Sequence, residues 1–400
     1  MSSKHAAEDG PDDCPEAKRT KPNAVWQSRG SVYWKDYDSP ASDKVLGLDL
    51  DGTLIAPKSG AKWPKDANDW RLLYGGSCRT VLKKHVNDGF KVVVFSNQKG
   101  VSTGKQKLED LQKKLDAVQA ALAVPMLVYL ATRDDIYRKP CTGSWDLMES
   151  EHNDGVKIDR KQSKFVGDAA GRPASGGRKK DFSSSDHKFA LNLGIRFLTP
   201  EEAFLGQNSN FPTTFDFDPR TLGQGLVPPS TVIKKVEDTE VVILVGAPGS
   251  GKSSLVRKLF PTYKHVNQDT LKDKNKCVKE CKTALAAGQS AVIDNQNKDK
   301  STRKAYIDLA KQYKAKVRAV YMDVPKDLCF HLNAYRELNP RVREHKKKIP
   351  PMVLHSFYKN REVPQKSEGI DEVITLTIKN FEPGPFADPS DEKLLKSFLE

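Results

Sequence analysis

Val45-Leu46-Gly47-Leu48-Asp49-Leu50-Asp51-Gly52-Thr53-Leu54 is an apolar run that ends on two carboxylates two residues apart. Its composition predicts a buried β-strand, and the strand period of 2 puts Asp49 and Asp51 on one side. Gly52 lets the chain turn at once, so both acids stand at the carboxyl end of the strand, where open α/β sheets receive their ligands. Facing acids repel one another unless a cation lies between them. Mg²⁺, held by carboxylates and phosphate oxygens, would relieve that repulsion and draw in a phosphorylated substrate. Taken alone, Asp-x-Asp also reads as a pair of solvated turn residues.

Working outward, short apolar runs at Val45–Leu50, Val92–Phe95, Leu127–Leu130 and Lys164–Val166 alternate with helical stretches, the pattern of an α/β domain with a parallel sheet. Ser96 follows the second run and places a hydroxyl where it can bond a phosphate oxygen. Asn97 beside it and Arg138 are expected to meet the substrate, and Lys139 supplies fixed positive charge. Phe165-Val166-Gly167-Asp168 ends a further strand with another carboxylate suited to the metal.

A second alternation starts at Val241-Val242-Ile243-Leu244-Val245 and turns through Gly246-Ala247-Pro248-Gly249-Ser250-Gly251-Lys252-Ser253-Ser254 into a helix. A P-loop requires that strand-to-helix context. Backbone N–H groups at Gly246, Gly249, Gly251 and Ser254 close around the phosphates of ATP, Lys252 reaches the β and γ groups, and the Ser253 hydroxyl binds Mg²⁺. Downstream, Asp269 is placed as the general base for an attacking hydroxyl. Asp294 and Arg303 are expected to line the acceptor site, and Arg336 to reach the transferring phosphoryl group from a mobile lid.

The 400 residues carry 66 Lys+Arg against 52 Asp+Glu, a net charge of +14 that attracts polyanions. Basic stretches at Arg178–Lys180, Lys272–Lys282 and Arg341–Lys348 can neutralise backbone phosphates, although Lys-rich helices are commonly just solvated faces. The longest mostly apolar stretch, Ala120–Ala131, is too short to cross a bilayer and contains Pro125. Six scattered cysteines suit a reducing compartment. Cys277 and Cys281 lack the nearby His that zinc binding would call for, and the five tryptophans are expected to be buried. Residues 1–40 read as a disordered tail. Its cluster Lys18-Arg19-Thr20-Lys21-Pro22 is a candidate nuclear address. The remaining chain divides into domains at 41–206 and 239–400, joined by a Pro-rich linker over 207–238.

Asp49-x-Asp51-Gly52-Thr53, then Ser96, Lys139 and Gly167-Asp168 in that order, resembles the haloacid dehalogenase-type phosphatases. With the P-loop half, and with Val166-Gly167-Asp168-Ala169-Ala170-Gly171-Arg172-Pro173 and Ile293-Asp294-Asn295, the chain resembles the bifunctional polynucleotide kinase 3′-phosphatases of DNA repair. The resemblance implies two doubly wound α/β domains. It implies that Asp49 attacks phosphorus, that Asp51 protonates the leaving alkoxide and then activates water, and that Ser96 and Lys139 hold the phosphoryl oxygens. It also implies that Asp49, the Asp51 carbonyl and Asp168 hold Mg²⁺. The substrates would be DNA termini at nicks, gaps and breaks, in the nucleus, with other repair proteins as partners. The forkhead-associated domain of vertebrate relatives is not expected in a 40-residue tail. Gln268 stands where the family often has Arg ahead of the base. Two other readings compete: a kinase and phosphatase of a small metabolite, and a DNA-end scaffold whose sites have decayed.

Overall fold

The computed structural model describes residues 25–175, 177–345 and 347–400. Two sheets organise them. The first holds β1 (Gln27–Arg29), β2 (Val32–Tyr37), β3 (Val45–Leu48), β6 (Lys91–Asn97), β7 (Met126–Ala131), β8 (Lys164–Val166) and β9 (Arg196–Leu198), in the order β1-β2-β7-β6-β3-β8-β9. From β7 to β9 every pair is parallel, while β1 and β2 add an antiparallel edge. A small hairpin of β4 (Ile55–Ala56) and β5 (Arg71–Leu72) follows the Asp51 turn. The second sheet is wholly parallel: β11 (Lys264–Val266), β12 (Ala291–Ile293), β10 (Glu240–Val245), β13 (Lys316–Met322) and β14 (Glu372–Leu376), in that order.

Each sheet is covered on both faces, so its central strands are buried throughout, as parallel sheets require. In the first sheet Leu46, Leu48, Val92, Val94 and Val128 face one apolar cluster, and Val45, Val93, Phe95 and Tyr129 face the other with Trp145 and Phe189. In the second, Val241, Ile243 and Val245 alternate with Val242 and Leu244 in the same way.

Two expectations need correction. The tail expected over 1–40 does not hold for its second part, where β1 and β2 form; residues 1–24, with Cys14 and the Lys18–Pro22 cluster, lie outside the described residues. Val32 and Trp34 bury one side of β2, and on the other Lys35 Nζ and Tyr37 Oη both donate to Asp116 Oδ1, at 2.7 and 2.5 Å. The segment 207–238 has only a 3₁₀ turn at Pro219–Thr221 and a helical turn at Pro229–Val232, yet it is not loose. Leu222 and Ile233 are buried in the clusters around the second sheet.

Candidate active sites

The first site forms where β3 and β8 end side by side. The amide of Asp49 donates to Val166 O at 2.9 Å, which continues the parallel ladder one residue beyond β3 and fixes the acid at the sheet edge. Lys139 Nζ lies 2.7 Å from Asp49 Oδ1 and 2.7 Å from Asp186 Oδ1, with all three side chains nearly sealed from solvent. Oxygens of Asp49, Asp168 and Asp186 lie within 4.8 Å of one another. One ammonium cannot balance three clustered carboxylates. Burial, with the neighbouring carboxylates adding to it, pushes Asp49 up to about 7 and Asp168 up to about 8. Burial works against the charge on Lys139, but Asp186 and Asp49 outweigh it and raise its pKa. All-oxygen donors and an excess of negative charge in a largely buried cluster fit a hard divalent cation.

Asp51 faces elsewhere. Its carboxylate is half exposed, 2.7 Å from Gln98 Nε2 and 3.7 Å from Lys114 Nζ. Gln98 Nε2 also donates to Ser96 Oγ at 2.8 Å, so a single amide sets both the hydroxyl and the free acid.

The second site lies at the end of β10. Gly251 adopts φ +98°, which an L side chain resists, and the helix Lys252–Leu259 starts from it. Lys252 Nζ folds back onto the loop, donating to Gly246 O at 2.9 Å and Ala247 O at 2.7 Å. Burial brings its pKa down to about 8. The Arg336 guanidinium stands beside Gly249, and burial lowers its pKa too. Neither cation forms an ion pair among the described residues, and the buried Ser250 hydroxyl has no partner there. One buried and one half-buried cation, both without an acidic partner, around a loop of amides fit a polyphosphate. The cleft measures about 1280 Å³ and is also lined by Ser253, Ser254, Asp269, Asp294, Lys272 and Lys348.

Asp269 is exposed at the cleft wall in the short helix Gln268–Leu271. Asn267 caps that helix, accepting from the Asp269 amide at 2.7 Å, and its own amide donates to Asp294 O and Oδ2 at 3.0 Å each. His265 Nε2 lies 2.9 Å from the same Oδ2.

Comparison with known proteins follows these two halves. Residues 44–204 match the family model described as polynucleotide kinase 3 phosphatase, and residues 241–364 match that of an AAA domain. The putative bifunctional polynucleotide phosphatase/kinase of Acanthamoeba polyphaga mimivirus is 34% identical over 396 residues, covering 89% of this chain and 90% of that protein. The polynucleotide 3′-phosphatase of Saccharomyces cerevisiae is 28% identical over 214 residues, covering 40% of this chain and 87% of that protein. The bifunctional polynucleotide phosphatase/kinase of Schizosaccharomyces pombe is 36% identical over 367 residues, covering 89% of this chain and 86% of that protein. The chain belongs to the bifunctional polynucleotide phosphatase/kinase family.

Within this chain, Asp49, Lys139 and Asp168 come together, with Ser96 and Asp51 joined through Gln98. Gly246, Gly249, Gly251, Lys252, Ser253, Ser254 and Arg336 come together around the second cleft. Three expectations change. Asn97 faces the backbone of Lys139, donating to its carbonyl and accepting from its amide, both at 3.0 Å, so it positions the lysine. Arg138 Nε pairs with Asp134 Oδ1 at 3.2 Å, and its buried Nη1 has no hydrogen-bond partner among the described residues. Arg303 does not reach the acceptor site. It is fully buried, forked onto Glu368 at 2.8 and 2.7 Å, and donates to the carbonyls of Asn297 and Glu362. The carboxylate cluster takes its third side chain from Asp186, in the helix Ser185–Leu193, and the Asp51 side chain is not part of it. Trp63 also departs from expectation: it is 67% exposed, with Lys62 Nζ over its ring and over that of Phe182, which is 87% exposed.

Proposed function

We propose that this chain repairs DNA termini by removing 3′-phosphate at the first site and phosphorylating 5′-hydroxyl ends from ATP at the second. The observation that carries this reading is the pairing, in one chain, of the Asp49–Lys139–Asp186–Asp168 cluster with a P-loop cleft. Intact acids and an intact loop argue against a decayed scaffold. The net charge of +14 favours a polyanionic substrate over a small metabolite. Exposed Trp63 and Phe182, with Lys62 between them, supply the stacking surface and charge that unpaired bases require.

In the hydrolytic half Asp49 attacks phosphorus; an Asp49–phosphorus bond forms as the bond to O3′ breaks, and Asp51 gives the leaving oxygen its proton. Asp51 then takes a proton from water, which displaces the phosphate and restores the Asp49 carboxylate. Lys139 and Ser96 hold the equatorial oxygens. Asp49, Asp168 and Asp186, with the Asp51 carbonyl, would hold Mg²⁺, which offsets the charge of the phosphate when bound. In the transferase half Lys252, Ser253 and the loop amides hold ATP and its Mg²⁺. Asp269 accepts the proton of the 5′-hydroxyl, and Arg336 stabilises the charge on the transferring group. The halves divide near residues 206 and 239, and the reading places the protein in the nucleus. No helix among the described residues is long and apolar enough to cross a membrane.

A nicked duplex bearing 3′-phosphate and 5′-hydroxyl, incubated with Mg²⁺ and labelled ATP, tests the reading. Asp49→Ala should abolish phosphate release and spare 5′ labelling, and Lys252→Ala should do the reverse. Unmodified ends with the unaltered protein would overturn the reading, as would loss of both activities in either folded variant.

A further inference from the structure

Lys139 is the only cation in its acidic cluster among the described residues, so its placement controls the site. Asn97 holds its backbone from one side. From the other side the chain leaves through Pro140, whose carbonyl accepts from Asn192 Nδ2 at 2.8 Å. Asn192 lies in the helix Ser185–Leu193, whose first turn carries Asp186. One amide thus ties the strand of chain behind Lys139 to the helix that presents its second carboxylate partner.

The same amide has a third attachment, 206 residues away in sequence. Asn192 Nδ2 donates to Phe398 O and Asn192 Oδ1 accepts from Phe398 N, each at 2.8 Å. Lys188, one turn earlier, donates to Glu400 O at 2.6 Å and lies over the rings of Phe215 and Phe398. Between these anchors Leu399 is buried against Cys141 on one side and Ala334 on the other, in a cluster that also includes Tyr335 and Leu338. Ala334, Tyr335 and Leu338 belong to the helix Lys326–Leu338, which carries Arg336 to the P-loop.

We infer that the segment Phe398–Glu400, at the far end of the transferase half, is a brace for the phosphatase site, with Asn192 as the positioning residue that transmits it to Lys139. The inference rests on the reading of the first site as the phosphatase. An unbraced Pro140 would let Lys139 drift from Asp49, and a displacement near 1 Å in a catalytic constellation can cost about 100-fold in rate. The brace contributes no group to substrate, so its loss should appear in turnover and leave substrate affinity alone.

Two variants approach the brace from opposite ends. Leu399→Ala leaves every residue of the phosphatase half in place, and Asn192→Ala leaves the segment in place. Each is expected to lower kcat for 3′-phosphate release about tenfold with KM within about twofold, while 5′ phosphorylation stays within about twofold. Hydrogen exchange at the Lys139 and Cys141 amides should quicken about tenfold in both, and Leu399→Met should restore both readouts. Unchanged exchange and unchanged kcat in Leu399→Ala would overturn the brace, as would an equal fall in both activities. An unaltered protein that released no phosphate would defeat the reading of the site, whereas the exchange measurement would still decide whether the segment holds Lys139.

Discussion

Gly52 and Asp168 approach so closely that a Cβ on Gly52 would collide with Asp168 Oδ2, and the glycine holds φ +86°. The turn after Asp51 and the far end of β8 therefore occupy one another's space. Adding a methyl group must push Asp168 away from Asp49, strain the turn, or do both. Gly52→Ala is expected to cut 3′-phosphate release by about 100-fold while 5′ phosphorylation is retained. Parallel assays of the two activities on one preparation check it.

The buried fork between Arg303 and Glu368 is a fastener inside the transferase half, tying the helix Lys300–Gln312 to the turn Lys366–Glu368. Arg303→Ala would leave the buried Glu368 carboxylate without its counter-charge, with only the Gln365 amide still donating to it, and would take a donor from two carbonyls. A loss of about 3–5 kcal/mol is expected, seen as an earlier unfolding transition of the transferase half in urea, with phosphate release intact. A variant that unfolded normally but failed only to bind DNA would restore Arg303 to the acceptor site.

His331 sits on the transferase side of the domain junction, its Nε2 2.6 Å from Leu395 O and its ring against Phe217. Burial brings its pKa down from 6.5 to about 4. As pH falls, the unfolded chain binds the proton first, so the stability supplied by neutral His331 is complete above pH 6.5 and is lost toward pH 4. Between pH 7 and 5 the loss should reach roughly 2 kcal/mol relative to His331→Gln. Unfolding free energies from urea titrations of the two proteins at both pH values should diverge by that amount.

Trp63 offers a broad exposed ring beside Lys62 and Phe182. Trp63→Ala is expected to raise KM about tenfold for a single-stranded 3′-phosphorylated oligonucleotide, with little change for 3′-phosphoglycerate or another small phosphate ester. An equal effect on both substrates would assign the ring to the fold.

The sequence exposed those parts of the sites whose chemistry is written locally. Asp49 and Asp51 end one strand, and Lys252 follows glycines that turn another into a helix, so a few adjacent residues suffice to read them. Asp186 escaped because it reaches the cluster across a loop from Asp168, and no strand or helix period links the two. Arg303 departs from expectation for a related reason: its position after Asp294 and Asn295 suggests the cleft, while the carboxylate that claims it lies 65 residues further on. β2 was absorbed into the tail because charge and Pro dominate residues 1–40, although Val32 and Trp34 alternate correctly with Tyr33 and Lys35. β9, β11 and β14 are edge or near-edge strands of three to five residues, too short for periodicity to separate them from loops.

The 206-residue interval between Asn192 and Phe398 has a temporal meaning. On the ribosome, the helix bearing Asp186 emerges about 10–40 s before its distant clasp, at ordinary elongation speeds. Nascent protein stalled in that interval would display all its hydrolytic side chains while still lacking their final fastening. Competence at the first site would then mature only once Phe398 has followed, well after its own side chains are in place.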